Sequence, residues 1–485
     1  MDNKVLIEST KWSAITEVFA KLASPLSNII LARLLAPEVF GLVATYTLVT
    51  SFAEVFTDSG FQKYLIQHEF KKEESIESFT NTAFCSNLIL SFLFWVIIFV
   101  FRSQISGLVG SPGHGLELSV LCFQIPLFAF SSIQQALLRR DFRFKDLAPI
   151  RFATSFVPIF VTIPLAAVLK NSWAIIIGYV VKEMLNAFLL SLKSQWKPRL
   201  SFSSSAFKAM ISDCSRLMAD SFMVWLTAYA GTLVISQRLS SYYLGVYRTG
   251  YTTITSYLSI IFVITQPVLF SALSRCQNNN DEFNQVFGNY IKYVAYLIIP
   301  LGIAIFLYHE VIISLLLGSQ WYDANIIVSM TGLTYPFLML FGQFNSVFFR
   351  AKGRPTVAFI VQTIFVCIML IAFIIASNQS FEVFCITAGL VNICYPIISS
   401  FALIYIFKFP FLSMIKQWVP IVLGTVVLFI VGRITLRLLP DSSVFQIVSG
   451  IISTLSYLFC LIICPTSRID LRNILCAVKI KKENK

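Results

Sequence analysis

Charged side chains are scarce in this chain: they make up 13% of its 485 residues, whereas apolar residues make up 57%. A soluble globular domain carries about 25% charged residues, so this composition excludes an ordinary soluble protein. Histidine is rarer still, with three residues, and the ten cysteines include no C-x-x-C pair. Most of these cysteines fall inside apolar runs, where cysteine acts as a small buried hydrophobe. We therefore expect no disulfide bond and no metal site.

The motifs of several enzyme classes are also missing. No G-x-x-x-x-G-K-[ST] loop is present, which excludes ATP hydrolysis by the P-loop route. Neither H-E-x-x-H nor G-x-S-x-G occurs, and the short segments between apolar runs leave no room for a soluble catalytic domain. We expect a protein that is not an enzyme and needs no cofactor. An integral-membrane glycan polymerase or ligase stays open as an alternative, although the outer loops predicted below are short for one.

Apolar runs long enough to cross a bilayer recur along nearly the whole chain. A membrane-spanning helix needs about 20 mostly apolar residues. Residues 1–11 mix charged and apolar residues, so we expect the first run to be retained as a span and not cleaved as a signal. The sequence predicts an all-α integral membrane protein with about fourteen transmembrane helices, at 12–34, 40–60, 80–101, 117–138, 150–169, 172–192, 214–236, 245–272, 290–316, 324–349, 355–377, 381–407, 415–437 and 443–464.

The distribution of Lys and Arg predicts the orientation of these spans. If residue 1 lies in the cytoplasm, most of the 37 Lys and Arg residues fall in cytoplasmic segments, including 193–213 and 465–485. This is the positive-inside pattern, and it predicts that both termini are cytoplasmic. A basic face beside anionic lipid accounts for the net charge of +13. We therefore expect membrane lipids as partners and no nucleic acid.

Two short polar breaks between apolar runs indicate an internal repeat. The segments ILARLLAPEVFGLV (30–43) and VISQRLSSYYLGVY (234–247) align at an offset of 204 residues, which pairs Gly41 with Gly245. Each break joins the first two spans of one half and is predicted to face outward. Glycine at such a turn lets the second helix start close to the first. Equivalent segments on one membrane face predict two halves related by a pseudo-two-fold axis along the membrane normal.

A second pair of segments supports the repeat on the predicted cytoplasmic side. LLRRDFRF, which begins at 137, and FFRAKGRP, which begins at 348, align Arg139 with Arg350 and Arg143 with Arg354. The sequence thus predicts an N-terminal six-helix bundle at 1–192, a cytoplasmic linker at 193–213, a second six-helix bundle at 214–407, two additional transmembrane helices at 408–464 and a basic cytoplasmic tail at 465–485.

The two leading spans of each half carry polar side chains at helical spacing. A charge in the bilayer costs about 2.5–3.5 kcal/mol on insertion scales, so such side chains must pair, snorkel or line water. Spans 1, 2, 7 and 8 are therefore predicted to line a central wet cleft. Their polar positions are Glu17, Lys21, Ser24 and Asn28; Thr47, Ser51, Glu54 and Asp58; Asp220, Thr227 and Gly231; and Arg248, Thr252, Thr255 and Ser259.

Five motifs, in this order and spacing, resemble the polysaccharide transport family of oligosaccharide flippases, within the multidrug/oligosaccharidyl-lipid/polysaccharide exporter superfamily. They are KWSAI at 11–15, LARLLAPEVFGL at 31–42, DSGF at 58–61, WKPRLSF at 196–202 and LGSQW at 317–321. The resemblance covers nearly the whole chain and looks closest to flippases of colanic-acid-type and teichuronic-acid-type repeat units.

This resemblance implies a multi-pass protein of the bacterial inner membrane that serves surface polysaccharide assembly, such as lipopolysaccharide O-antigen or capsule. It implies that undecaprenyl-diphosphate-linked oligosaccharide is moved from the cytoplasmic to the outer leaflet by alternating access. A polysaccharide polymerase and glycosyltransferases are the protein partners that it implies. A multidrug/cation antiporter of the same superfamily and a flippase for a lipid-linked peptidoglycan precursor stay open as alternatives.

A diphosphate that enters a low-dielectric cavity needs charge-assisted hydrogen bonds, which makes cations in the predicted cleft candidates for binding it. The candidate substrate-binding residues are Lys21, Lys182, Arg248 and, near the outer mouth, Arg33, with Asn28 as a polar ligand and Trp225, Tyr229 and Tyr251 as aromatic platforms for sugars. Plain structural alternatives stay open. Lys21 could pair with Glu17 at i,i+4, and Lys182 with the adjacent Glu183. Arg248 could snorkel to the interface, and the aromatic residues could simply pack.

Acidic residues in the predicted cleft are candidates for binding a coupling proton or sodium ion. They are Glu17, Glu54, Asp58 and Asp220. The alternative for Glu54 and Asp58 is capping and pairing near the cytoplasmic interface, where Lys63 is close in sequence.

Overall fold

The structure is a computed structural model that describes residues 23, 25–57, 59–70, 75–440, 442–465 and 467–470. Three predicted functional residues, Glu17, Lys21 and Asp58, lie outside these ranges. Within the described ranges the chain is helical with no strand, so the prediction of an all-α protein is confirmed.

Thirteen helices in the described part of the chain are long and apolar enough to cross a membrane. Each overlaps one predicted span, and the remaining predicted span, 12–34, lies mostly outside the described residues. The thirteen are α1 (Pro37–Thr57), α2 (Ile76–Val100), α3 (Gly115–Arg140), α4 (Phe144–Leu169), α5 (Ser172–Lys193), α6 (Ser204–Arg238), α7 (Ser241–Arg275), α8 (Asn280–Leu307), α9 (Ser319–Ala351), α10 (Pro355–Ala376), α11 (Phe381–Phe407), α12 (Val419–Leu438) and α13 (Ser443–Ile463).

Large apolar side chains cover much of the helix surface. Phe92 on α2 is 53% exposed, Ile371 on α10 is 60% exposed and Phe459 on α13 is 65% exposed. Exposed apolar patches of this extent suit contact with acyl chains and not with water. The composition and the surface therefore agree that the protein lies in a membrane.

The helix α6 begins earlier than its predicted span, at Ser204 and not at residue 214. The reason is a local capping signal: the Ser203 side chain accepts a hydrogen bond from the Ala206 backbone N–H. The non-helical part of the predicted linker is thus 194–203. It is anchored to α2, since the Trp196 indole donates to Asn81 at 3.1 Å.

The predicted cytoplasmic repeat appears as the same backbone turn in both halves. Phe142 and Gly353, which are equivalent in the alignment, both have positive φ, at 55° and 71°. The next residue then donates its N–H to the carbonyl five residues back, at 2.8 Å for Arg143 and 3.0 Å for Arg354. This pattern is a Schellman helix end. In the second half a glycine, Gly353, adopts the left-handed conformation readily. In the first half a phenylalanine, Phe142, adopts it.

The described residues form two compact units: one comprises those up to 249 and 373–381, and the other comprises 250–372 and those from 382 onwards. The helix α6 belongs to the first unit, where its Trp225 joins a buried cluster with Tyr46 of α1, Ile125 of α3 and Ile176 of α5. The division into two six-helix bundles at the 193–213 linker stays a prediction.

In the second unit, polar contacts tie the last helix, α13, and the segment after it to α8. Tyr308, just after α8, bonds the Ser449 hydroxyl at 2.9 Å, and the Tyr457 hydroxyl donates to the Tyr296 carbonyl at 2.7 Å. Beyond α13, Asp470 accepts a hydrogen bond from Lys292 at 2.9 Å. The helix α13 is therefore an integral part of this unit.

Candidate functional site

Arg248, near the start of α7, is held against α6. Its guanidinium donates to the Ala228 carbonyl at 2.8 Å and lies 4.4 Å from the centre of the Tyr229 ring. A guanidinium over an aromatic face gains cation–π attraction, and its planar fork carries five N–H donors in all. The sequence predicted both Arg248 and Tyr229 as site residues, and the structure brings them together.

Two residues of α5 extend this arrangement. Tyr179 interacts electrostatically with both Tyr229 and Arg248. Lys182 lies three residues further along α5, on the same helix face as Tyr179. We call Tyr179, Lys182, Tyr229 and Arg248 the basic–aromatic cluster. Sequence reasoning missed Tyr179, although its i,i+3 spacing from Lys182 is a signal that could have found it.

Lys182 also faces its neighbour Glu183, the alternative that the sequence left open. Its Nζ lies 3.8 Å from Glu183 Oε1, and the side chains are 39% and 14% exposed. Charge-assisted hydrogen bonds are shorter, at about 2.7–2.9 Å, so this pair is loose. In the described part of the chain, Glu183 Oε2 is buried without a hydrogen-bond partner. An ammonium carries three N–H donors, so Lys182 can serve a second acceptor besides Glu183.

Trp225 lies in an aromatic row along α6. It is 8% exposed, and its indole N–H donates to the Ser51 hydroxyl of α1 at 2.9 Å. Phe222 and Tyr229 flank its ring at 5.8 Å and 5.7 Å in nearly parallel orientations. In this conformation Trp225 packs α6 against α1, and its use as a sugar platform stays a prediction.

The other predicted substrate residues lie on separate elements. Asn28 and Arg33 belong to the helical stretch 25–34 and are exposed. Tyr251 is half-buried on α7, in the second unit. Their roles stay predictions.

The described acidic candidates are half-buried and engaged. Glu54 on α1 interacts electrostatically with the buried thiol of Cys122 on α3. Asp220 precedes Ser221, whose hydroxyl accepts a hydrogen bond from Lys63 at 2.7 Å. Lys63 thus reaches α6, a partner that the sequence did not predict for it. Among the described residues no group of three or more His, Cys, Asp or Glu could hold a metal ion.

Residues 30–326, more than half of the chain, match the family described as polysaccharide biosynthesis protein. The chain belongs to this family. The family predicted from the five motifs is therefore confirmed, and the chain is a membrane protein of a polysaccharide biosynthesis family.

Three curated relatives are bacterial proteins of the same kind. An uncharacterized membrane protein in the cps region of Klebsiella pneumoniae is 23% identical over 65% of this chain and 65% of its own length. The succinoglycan biosynthesis transport protein ExoT of Rhizobium meliloti is 22% identical over 68% of this chain and 66% of its own length. The lipopolysaccharide biosynthesis protein WzxC of Escherichia coli is 23% identical over 82% of this chain and 80% of its own length. The chain thus spans slightly under two thirds of the length of each of the first two relatives.

Solved structures with the same fold include two transporters. The lipid II flippase MurJ in an inward closed conformation superposes with a TM-score of 0.77 at 16% identity, covering 96% of this chain and 100% of MurJ. An inward-facing multidrug resistance MATE family transporter of the MOP superfamily gives 0.56 at 13% identity, covering 82% of this chain and 96% of that one. At these sequence identities the likeness to the two solved structures shows the fold of this chain.

Proposed function

We propose that this protein is a flippase that moves undecaprenyl-diphosphate-linked oligosaccharide repeat units from the cytoplasmic to the outer leaflet of the bacterial inner membrane. A polysaccharide precursor of this kind has three chemically distinct parts: sugars, a diphosphate and an apolar tail. The sugars and the diphosphate need a polar path, whereas the tail stays in the bilayer.

The observation that carries the proposal is the basic–aromatic cluster. A diphosphate is recognised by short hydrogen bonds from cationic groups, and Arg248 and Lys182 are two such groups within one unit. The hydroxyls of Tyr179 and Tyr229 add neutral donors beside them. In the proposed mechanism these residues hold the headgroup while two six-helix bundles, joined by the 193–213 linker, rock between inward-open and outward-open states.

The charge pattern supports the sidedness of this proposal. With both termini cytoplasmic, the repeat hairpins at 35–41 and 239–245 face outward and the basic turns at 139–143 and 350–354 face the cytoplasm. A multidrug/cation antiporter is the runner-up. Its cleft would be expected to be net acidic, which the cations of the cluster disfavour.

The decisive experiment compares substrates in liposomes that contain the purified protein. One sample receives a fluorescent polyprenyl-diphosphate-linked glycan and the other a cationic dye. We expect the glycan lipid to be translocated and the dye to be ignored. Arg248→Ala and Lys182→Ala should each slow translocation about tenfold or more, because hydrogen bonds to charged groups contribute about 1.5–3 kcal/mol.

Lys193→Ala is the matched control, since Lys193 is an exposed lysine at the end of the same helix as Lys182. It should translocate at the parent rate. Movement of the dye alone would overturn the proposed function. If Arg248→Ala and Lys182→Ala both translocate the glycan lipid at the parent rate, the proposed diphosphate site is wrong.

A further inference from the structure

The two repeat hairpins contact each other through backbone atoms inside the first unit. A Cβ atom at Gly41 would lie 2.8 Å from the Ser241 carbonyl carbon, and one at Gly245 would lie 2.8 Å from the Pro37 carbonyl carbon. Ser241 is the repeat equivalent of Pro37, as Gly245 is of Gly41. The two contacts are therefore one contact repeated by a local two-fold axis, as in an isologous interface.

A third backbone contact extends this region. Gly110 has a φ of 78°, which favours glycine, and a Cβ atom there would lie 2.5 Å from the Ser236 carbonyl carbon. Beside it, the Gln237 side-chain amide donates to the Leu108 carbonyl oxygen. We define the glycine seam as Pro37, Gly41, Gly110, Ser236, Ser241 and Gly245.

Only residues without a Cβ atom permit this approach. Real Cβ atoms essentially never come within 3.0 Å of another heavy atom, and the opposing atoms here are backbone, which cannot rotate away as the end of a side chain can. Alanine at Gly41 or Gly245 must therefore push α1 and α7 apart at this point. Gly41 and Gly245 are both buried, so the seam is closed in this conformation.

We propose that the glycine seam is the closed outer gate of the transport cycle, and that Gly41 and Gly245 are positioning residues that set how tightly it shuts. The inference rests on the proposed flippase function, which requires the outer ends of the leading helices to separate when the glycan leaves. The seam joins the first helix hairpin of one repeat to that of the other, which is where such a separation must occur. Contacts between backbone atoms are individually weak, which suits a joint that opens and recloses.

The test measures the gate without any substrate. Thr47→Cys, in a variant lacking the native cysteines, places a thiol below the seam at a half-buried position of α1. Labelling by a membrane-impermeant maleimide added from outside reports how often the gate is open. Gly41→Ala and Gly245→Ala should each raise the labelling rate about tenfold, since overpacking of this kind shifts an equilibrium by that order.

Gly107→Ala is the matched control, because no atom lies within 4 Å of a Cβ atom built there. It should label at the parent rate. Parent labelling in Gly41→Ala and Gly245→Ala, with both variants eluting as folded protein, would overturn the proposal. If the two alanine variants label faster but the parent protein translocates no glycan lipid, the gate proposal is retained and the proposed substrate is wrong.

A second measurement covers the case in which the alanine variants do not accumulate. Leu108→Cys and Gln237→Cys, bridged by a short bismaleimide, lock the contact that the Gln237 amide makes with the Leu108 carbonyl. Bridging should stop translocation, whereas each single cysteine treated in the same way should not. Translocation at the parent rate by the bridged protein would rule out the seam as the gate.

Discussion

Arg248 and Lys182 are both cations in apolar surroundings, yet the chain holds them differently. The Arg248 guanidinium is fixed by the Ala228 carbonyl and the Tyr229 ring. Lys182 has a loose ion pair with Glu183 at 3.8 Å. A guanidinium presents its donors in a rigid planar fork that matches phosphate geometry, whereas an ammonium is a compact point charge on a flexible stem. We therefore expect Arg248 to contribute more to headgroup binding than Lys182.

A different lysine shows what a tight buried pair looks like in this protein. The side chains of Lys292 and Asp470 are 10% and 13% exposed, and their 2.9 Å contact is supported by the Tyr296 hydroxyl, which donates to Asp470 at 3.0 Å. The Asp470 carboxylate neutralises the Lys292 ammonium, so the pair has no net positive charge to attract an anionic headgroup. We assign it to stability and not to transport.

Asp470→Asn should destabilise the second unit, because it leaves the Lys292 ammonium buried without a counter-charge. The expected loss in the free energy of unfolding is about 3–5 kcal/mol. Thermal unfolding in detergent measures it. The double variant Lys292→Met/Asp470→Leu should recover most of the loss, and a double variant as unstable as Asp470→Asn would contradict the account.

At the scale of elements, the contact between α1 and α6 combines packing and the candidate site. The aromatic row of Phe222, Trp225 and Tyr229 follows the i, i+3, i+7 positions of one helix face. Trp225, the buried residue of the row, donates a hydrogen bond to Ser51 on α1. The ring of Tyr229, at the other end of the row from Phe222, contacts the Arg248 guanidinium. One face of α6 thus serves structure at Trp225 and is proposed to serve substrate at Tyr229.

Substitutions in this row should separate the two roles. Trp225→Phe keeps an aromatic ring but removes the hydrogen bond to Ser51, so we expect a stability loss of about 1 kcal/mol with transport largely kept. Tyr229→Ala removes the ring beneath Arg248, so we expect slower translocation with a smaller change in unfolding temperature. Unfolding temperature and translocation rate are measured for both variants. Slower translocation by Trp225→Phe, with Tyr229→Ala at the parent rate, would instead assign sugar contact to Trp225.

At the scale of the whole molecule, the proposed transport needs a source of free energy, and two carboxylates are candidates for coupling it to an ion gradient. Glu54 and Asp220 are the two predicted coupling residues that the structure describes, and intramembrane carboxylates are common proton or sodium sites. We expect translocation in liposomes to accelerate under an imposed proton or sodium gradient, and Asp220→Asn to reduce that acceleration. Rates that ignore both gradients would mean facilitated movement without coupling.

The sequence determined the membrane fold and the repeat. Hydropathy located thirteen helices to within about ten residues at their ends, because a bilayer imposes one length on every span. The offset of 204 residues pairs Gly41 with Gly245 in the sequence alone, because the two hairpin segments repeat at that spacing. The start of α6 was missed because the hydropathy of a span does not register polar helical turns that follow a serine cap.

Only the tertiary structure decided which of these residues meet. The Arg248 guanidinium of α7 lies over the Tyr229 ring of α6, and no local spacing encodes that contact. The backbone contact of Gly41 with Ser241 likewise depends on how two distant hairpins cross. Hydropathy and helical period are local properties of the chain, whereas contacts between helices depend on packing that many residues set together.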